Sequence, residues 1–364
     1  MTRRVAIAGA SGVIGCAAVE ACAAAGFEVL AISRRAPAVA EGTAFTHLSL
    51  DLTDTAACTQ MCREHGPVTH LVYAAVSEQA GLVAGWSDTA QIARNAAMFT
   101  NLAAPLAQAG ALSWIGLFQG TKAYGAHLHP IALPAREDAP RDDHANFYFE
   151  QEDALRALAD RHAFGWTILR PQIVFGSAPG AAMNPVAALG AYAALCRELG
   201  QPFAYPASGP LVWEAADAGL IAKALLWAMS ADGARNATFN LTNGDIFVLH
   251  DDWPTLATAL GLVAADPRPG GIATFLESDK AIAAWRRIAE REGLREPDLA
   301  AVIGQSHHYV DLLLSERMIA KRALPTLVST IKIRTAGFAA CRDSLASLLD
   351  GLKRMQALRL LPSF

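Results

Sequence analysis

The chain has no run of about 18 strongly apolar residues of the kind that spans a bilayer. It has no block of lysines or arginines, and only six cysteines among its 364 residues. The first absence matters because a hydrophobic content of 53% and a mean hydropathy of +0.25 would otherwise suggest a membrane protein. Alanine inflates both figures, and the nearest candidate stretch, 181–196, contains Asn184 and Pro185. Arg3-Arg4 ahead of an apolar segment imitates a signal peptide, but that segment reads as a strand and glycine turn, so a cytoplasmic protein is expected. With 30 basic and 34 acidic residues and a net charge of −4, the chain offers nucleic acid no electrostatic footprint. Scattered cysteines, of which only Cys58 and Cys62 lie close together, read as small core residues in a reducing compartment. His127/His129 and His307/His308 have no Glu or Cys nearby at ligand spacing, so no metal site is expected. Internal repeats and low-complexity linkers are also missing.

What is present begins at once. Val5-Ala6-Ile7-Ala8 reads as a buried strand that breaks into Gly9-Ala10-Ser11-Gly12-Val13-Ile14-Gly15 and opens an alanine-rich helix. Closely spaced glycines between a strand and a helix let backbone N–H groups approach a pyrophosphate at the positive end of the helix dipole. The turn therefore predicts a dinucleotide site lined by Gly9, Ser11, Gly12, Val13, Ile14 and Gly15. A second strand, Glu28 to Ile32, ends in Ser33-Arg34-Arg35, where a binder of NAD usually carries an acid for the ribose hydroxyls. Two guanidinium groups suit a 2′-phosphate instead, which favours NADPH. A third strand delivers Asp51-Leu52 beside the adenine.

Short β-branched runs at 4–8, 28–32, 46–50, 69–75, 113–118 and 165–170 alternate with helical stretches. That alternation predicts an α/β fold, a Rossmann-type doubly wound parallel sheet with helices on both faces. Gly9, Arg34, Asp51, Ala75 and Gln119 all fall at carboxyl ends of strands, where such sheets bind ligands. Beyond Gly176 comes a long helix through Cys196, then a loop from Pro202 to Pro210. One more strand at Phe239–Thr242 is expected to return to the sheet edge, and helices follow around 253–261, 276–292, 307–322 and 339–357. The expected division is a Rossmann core of 1–176 plus about 206–245, with 177–205 plus 246–364 as a smaller, mostly helical substrate-capping lobe.

A short-chain dehydrogenase ordinarily places a lysine four residues after its catalytic tyrosine, to hold the ribose and lower the phenol pKa. None of the six tyrosines, at 73, 124, 148, 192, 205 and 309, is followed by lysine at that spacing. The chain has instead Gln119-Gly120-Thr121-Lys122-Ala123-Tyr124-Gly125 after the fifth strand and Asn146-Phe147-Tyr148-Phe149-Glu150-Gln151-Glu152-Asp153 at the next helix. These segments resemble the progesterone 5β-reductase and iridoid synthase family of atypical short-chain reductases. There the lysine lies in a Thr-Gly-x-Lys-x-Tyr segment and the tyrosine in Asn-Phe-Tyr-Tyr-x-x-Glu-Asp. Arg170-Pro171, Phe175-Gly176, Met183-Asn184, Asn243-Gly244-Asp245 and Gly337-Phe338 extend the resemblance nearly end to end.

The resemblance implies NADPH-dependent 1,4-reduction of a C=C bond conjugated to a carbonyl, with the motif's second tyrosine donating to the developing oxyanion and the lysine supporting it. This chain has Phe149 at that second position. The expected catalytic set is Lys122, Tyr148 and Phe149, with Tyr148 as stand-in acid and Tyr124 in reserve. Ala75, Gln119, Lys122 and Ile173 complete the expected cofactor contacts. Glu152 and Asp153 read as helix-dipole partners, and Trp213, Trp253 and Trp285 as core or pocket wall. Val76 stands where plant members of that family tend to carry tryptophan, which implies a differently shaped pocket. The expected partner is a small enone or carbonyl compound, with a homodimer left open. The alternatives are a non-catalytic NADPH-binding sensor or scaffold, and a carbonyl reductase with another proton donor.

Overall fold

The computed structural model describes residues 3–79, 82–314 and 326–364. The chain divides into two compact units, residues Met1–Gln172, Ala218–Thr242 and Val328–Ala340 forming the first and Ile173–Asp217, Asn243–Leu327 and Cys341–Phe364 the second. Against the expected division, 206–217 lies in the second unit and Val328–Ala340 in the first.

The first unit is built on a seven-stranded sheet. Its strands are β1 (Arg4–Ala8), β2 (Glu28–Ile32), β3 (Thr46–Leu48), β4 (His70–Tyr73), β5 (Trp114–Phe118), β6 (Gly165–Pro171) and Ala237–Leu241. Their order across the sheet is Ala237–Leu241, β6, β5, β4, β1, β2, β3, and every pairing is parallel. Helices cover both faces of such a sheet, so its central strands read as unbroken apolar runs. Val5, Ala6, Ile7 and Ala8 are all fully buried. The last strand does return to the edge, beside β6. Chain order reverses between β1 and β4, and in an open α/β sheet that switch point is where a ligand crevice forms.

Side-chain caps fix the helices that border this crevice. Asp54 accepts from Ala57 N to start α2 (Thr55–His65), and Asp88 accepts from Gln91 N to start α3 (Thr89–Gln108). Asn146 accepts from Tyr148 N to start α4 (Phe147–His162). The helix after the glycine turn, α1 (Val13–Ala24), differs: its N-cap is Gly12, which has no side chain to occupy the first N–H groups.

The second unit is mainly helical, with two short two-stranded sheets. Its core holds the three tryptophans: Trp253 stacks on Phe203 at 4.4 Å, while Trp213 and Trp285 are buried. Asn243 ties this unit's segments together, its N–H donating to Ala215 O and its side chain accepting from Asp217 N, each at 2.7 Å, and donating to Ser344. Helices Leu249–Ala259, Asp279–Glu292 and Ser344–Ala357 fall within or close to the expected ranges. The expected 307–322 helix is seen as Ser306–Leu313, and its remainder from 315 lies outside the described residues. Among the described residues no helix is long and apolar enough to cross a membrane.

Candidate active site

The glycine positions of the turn have no room for side chains. Gly9 has φ +79°, and a Cβ there would stand 2.7 Å from the backbone of Ala74 and Ala75, just beyond β4. A Cβ on Gly15 would collide with the Gly9 carbonyl, and one on Gly12 would press on the same oxygen at 3.3 Å. The turn is thus threaded against the carboxyl end of β4, with Ser11, Gly12, Val13 and Ile14 half-buried at the start of α1. This is the cradle a pyrophosphate requires: close backbone approach and uncapped helix N–H groups.

Arg34 and Arg35 follow β2 and are both exposed. Their backbone is held by local bonds, Ser33 Oγ donating to the Arg35 carbonyl at 2.7 Å and Ser49 Oγ to the Arg34 carbonyl at 3.4 Å. Asp51 closes an Asx turn, its Oδ1 accepting from both Thr53 N and Thr53 Oγ1. Those bonds, reinforced by the Arg34 charge, lower its pKa. Leu52 is buried. β3 ends at Leu48, two residues short of the expected 46–50, so Asp51 stands on a turn and not at a strand tip.

Lys122 lies on the short 3-10 turn Thr121–Tyr124 that follows β5. Its ammonium stands 3.5 Å from Glu78 Oε1, and the two side chains are only 12% and 4% exposed. Three rings surround it, Trp86 at 4.5 Å and Phe147 and Tyr148 at 5.5 Å each from Nζ to the centroid. Burial lowers the Lys122 pKa and the Glu78 charge opposes that shift. α3 presents the carboxylate: Gln91 Nε2 donates to Glu78 Oε2 at 2.9 Å, and Asn95 clasps the backbone of Ser77 on both sides. α4 holds the lysine turn, since Asn146 Nδ2 donates to the Lys122 carbonyl at 3.0 Å while its Oδ1 caps the helix. Lys122 Nζ and Glu78 Oε1 are held as an ion pair, and two other buried polar atoms in this neighbourhood, Trp86 Nε1 and His127 Nδ1, have no hydrogen-bond partner among the described residues. Buried polar groups in that state are rare outside places where something else binds.

Tyr148 and Phe149 point to different surroundings, as successive residues about 100° apart on a helix must. A Cβ on Gly120 would sit 3.5 Å from the Tyr148 hydroxyl, so that phenol lies over the lysine turn. Phe149 packs elsewhere, with the His144 ring at 5.3 Å and the Arg141 guanidinium over it at 5.0 Å. Arg141 is gripped in turn by Asp153 at 2.7 and 3.0 Å. His144 Nδ1 faces Asp142 at 2.9 Å and its Nε2 faces the Asn146 amide at 3.1 Å.

Several expected residues have structural tasks. The Tyr124 hydroxyl donates to Asn240 Oδ1 at 2.6 Å, and its ring carries the Arg170 guanidinium at 4.9 Å, away from Lys122. Gln119 is buried and its amide is used on both sides, accepting from Arg170 Nε at 2.8 Å and donating to the Tyr148 carbonyl at 3.1 Å. Glu152 and Asp153 are not simple dipole partners. Glu152 is buried at the meeting point of Arg156 at 2.7 Å and Arg141 and Arg170 at 3.6 Å each. Ala75 is half-buried just beyond β4, and Val76 is exposed. Ile173 opens the strand Ile173–Phe175 of the second unit, paired with Ala215–Asp217. Sequence reasoning does not single out Glu78 or Trp86, and it weighs His127 only as a metal ligand. The only signal was a lone acid and a lone tryptophan in the aperiodic stretch after β4.

A parallel sheet with its chain reversal beside a glycine turn defines a Rossmann-type fold of the short-chain dehydrogenase/reductase class. Residues 5–242 match the NAD dependent epimerase/dehydratase family, and the chain belongs to it. Among curated proteins it is similar to (S)-8-oxocitronellyl enol synthase of Antirrhinum majus, 28% identical, over 81% of this chain and 75% of that one. It is likewise similar to (S)-8-oxocitronellyl enol synthase ISY2 of Nepeta racemosa, 28% identical over 93% and 85% of the two chains. The short chain dehydrogenase gsfE of Penicillium aethiopicum is 29% identical over 74% of each. Among solved structures the fold is shared with UDP-glucose 4-epimerase of Thermus thermophilus in complex with NAD (TM-score 0.62, 18% identity, 96% and 99% covered). WbmG of Bordetella bronchiseptica in complex with NAD has it too (TM-score 0.64, 17% identity, 100% and 97% covered).

Proposed function

We propose that this chain is an NADPH-dependent reductase of activated C=C bonds, adding hydride to the β-carbon of an enone or enal. The observation that carries the reading is the buried Lys122 ammonium, paired with Glu78 and set beside the Tyr148 ring. The enzymes named (S)-8-oxocitronellyl enol synthase support it through their similarity over most of the chain. NADPH, when bound, supplies the hydride.

The residues at hand fit that cofactor. Gly9, Gly12 and Gly15 allow backbone approach to a pyrophosphate, and exposed Arg34 and Arg35 suit a 2′-phosphate. Hydride addition at the β-carbon moves the C=C electron pair toward the carbonyl, and the oxygen becomes an enolate oxyanion. Lys122 places positive charge where that oxyanion develops, in surroundings that screen it little. Tyr148, whose hydroxyl lies over the lysine turn, donates a hydrogen bond to it. Solvent then delivers the proton to the α-carbon, which completes the saturated carbonyl. The reading gives Phe149 no part in stabilising the oxyanion, its ring packing against His144 and Arg141.

The test is NADPH oxidation with small activated enones such as 2-cyclohexenone, with product analysis to separate C=C from C=O reduction. Wild type should turn over, and Lys122→Ala should lose about 10²–10³ in kcat, the loss typical of one oxyanion stabiliser. Tight NADPH binding without turnover, and activity appearing only in Phe149→Tyr, would sink the proposal in favour of a non-catalytic binder.

A further inference from the structure

The second unit gathers three metal-ligating side chains that sequence spacing did not bring together. Glu277 follows the four-residue helix Ala273–Leu276, and His307 and His308 lie in the first turn of helix Ser306–Leu313. Glu277 Oε1 stands 3.1 Å from His307 Nε2 and 3.0 Å from His308 Nε2, and the three ligand atoms all lie within 4.8 Å of one another. Four-coordinate zinc with bonds of about 2.0–2.1 Å spaces its ligands roughly 3.3 Å apart, close to the two Glu277–imidazole separations of 3.1 and 3.0 Å.

The scaffold under the three groups is braced at two points. Asp311, one turn beyond His307, accepts from Ile272 N at 2.6 Å and Ala273 N at 3.0 Å. Asp311 thus clamps the start of the short helix, and the histidines meet Glu277 at its end. Ligands fixed on two braced elements keep their mutual geometry without needing a loop to close. Two imidazoles and one carboxylate suit a borderline cation, whereas Mg²⁺ and Ca²⁺ prefer all-oxygen shells.

We infer that Glu277, His307 and His308 form a site for a divalent transition-metal ion, Zn²⁺ by ligand class, with a fourth position open to water or a small ligand. Access comes from the solvent side, where the Glu277 and His308 side chains are 54% and 31% exposed. The ion would lock helix Ser306–Leu313 to the end of helix Ala273–Leu276. This inference is independent of the reductase reading, since none of its residues belongs to that site.

Tag-free protein, stripped with chelator and exchanged into chelator-free buffer, should be titrated with ZnCl₂ by calorimetry and with CoCl₂ by visible absorption. One ion per chain is expected, with cobalt bands of four-coordinate intensity. His308→Ala and Glu277→Gln should each weaken binding by at least about tenfold, and Cys341→Ser should bind as wild type. Circular dichroism checks that the variants are folded, and Glu277→Gln decides alone if His308→Ala is not. Absence of saturable binding by wild type overturns the inference, as does wild-type affinity in either folded ligand variant.

Discussion

Lys122 and Glu78 form an ion pair at 3.5 Å in which both side chains are nearly removed from solvent. The lysine comes from the turn after β5 and the acid from the stretch after β4, so the pair bridges the carboxyl ends of neighbouring strands. Breaking a buried pair from one side typically costs about 3–5 kcal/mol, because the remaining charge is left uncompensated.

Glu78→Gln tests that pair. Burial lowers the Lys122 pKa and Glu78 raises it, so removing the carboxylate leaves only the lowering influence. The lysine then loses its proton at a lower pH, and the alkaline limb of the kcat/KM profile should move toward neutrality. The same limb in wild type and Glu78→Gln would show that the pair does not tune the lysine.

Tyr148→Phe and Phe149→Tyr should differ sharply. Losing the phenol over the lysine turn is expected to cost about 10²–10³ in kcat with 2-cyclohexenone. A hydroxyl added at 149 enters the His144 and Arg141 surroundings and should change kcat by less than about tenfold, since one net hydrogen bond is worth only about 1 kcal/mol. The reverse ranking of the two variants would show that a phenol at 149, and not the one at 148, reaches the oxyanion.

Arg34→Ala and Arg35→Ala address cofactor choice. Each charge-assisted hydrogen bond to a phosphate is worth about 1.5–3 kcal/mol, so each variant should weaken NADPH binding by roughly 10- to 100-fold and leave NADH affinity almost unchanged. Fluorescence titration with both cofactors measures this. Parallel losses for the two would mean that the arginines do not read the 2′-phosphate.

Burial depresses two histidines, His70 and His127, from 6.5 to about 4. Both are held neutral in the folded chain and charge more readily when it unfolds. Their contribution to stability is therefore fully present above pH 6.5 and is lost progressively as pH falls toward 4. Thermal melts should show Tm dropping across that window. The drop should be smaller in His70→Gln, whose side chain does not titrate, and an unchanged slope in that variant would count against the assignment.

The sheet was legible because its strands are short apolar runs between turn residues, and four of the six in the βαβ series begin and end within a residue of where the pattern puts them. β3 stops early because Ser49 and Leu50 lead into the turn closed by Asp51 and Thr53. The glycine turn was legible for the same local reason. Glu78, Trp86 and His127 were not, because they meet Lys122 only through tertiary packing and share no periodicity with it. Glu277 lies 30 residues before His307, and only the fold makes them neighbours. The motif position of Tyr124 is legible in the sequence, whereas the use of its hydroxyl by Asn240, 116 residues away, is not.

Asn240 also links distant parts of the chain. It accepts a hydrogen bond from the Tyr124 hydroxyl at one end of its amide and donates to the Ala135 and Ser329 carbonyls at the other. Val328 forms a bridge with Ala135, and Ser329 N donates to the Ala135 carbonyl at 2.8 Å. The turn carrying Lys122 is therefore buttressed by a segment some 200 residues downstream, which lies beyond the 5–242 span of the family match. A recombination event that exchanged everything after residue 242 for a foreign lobe would take this buttress with it. The two halves of such a hybrid would not be interchangeable parts, and lineages of this protein should inherit Val328–Ala340 together with the Rossmann core it completes.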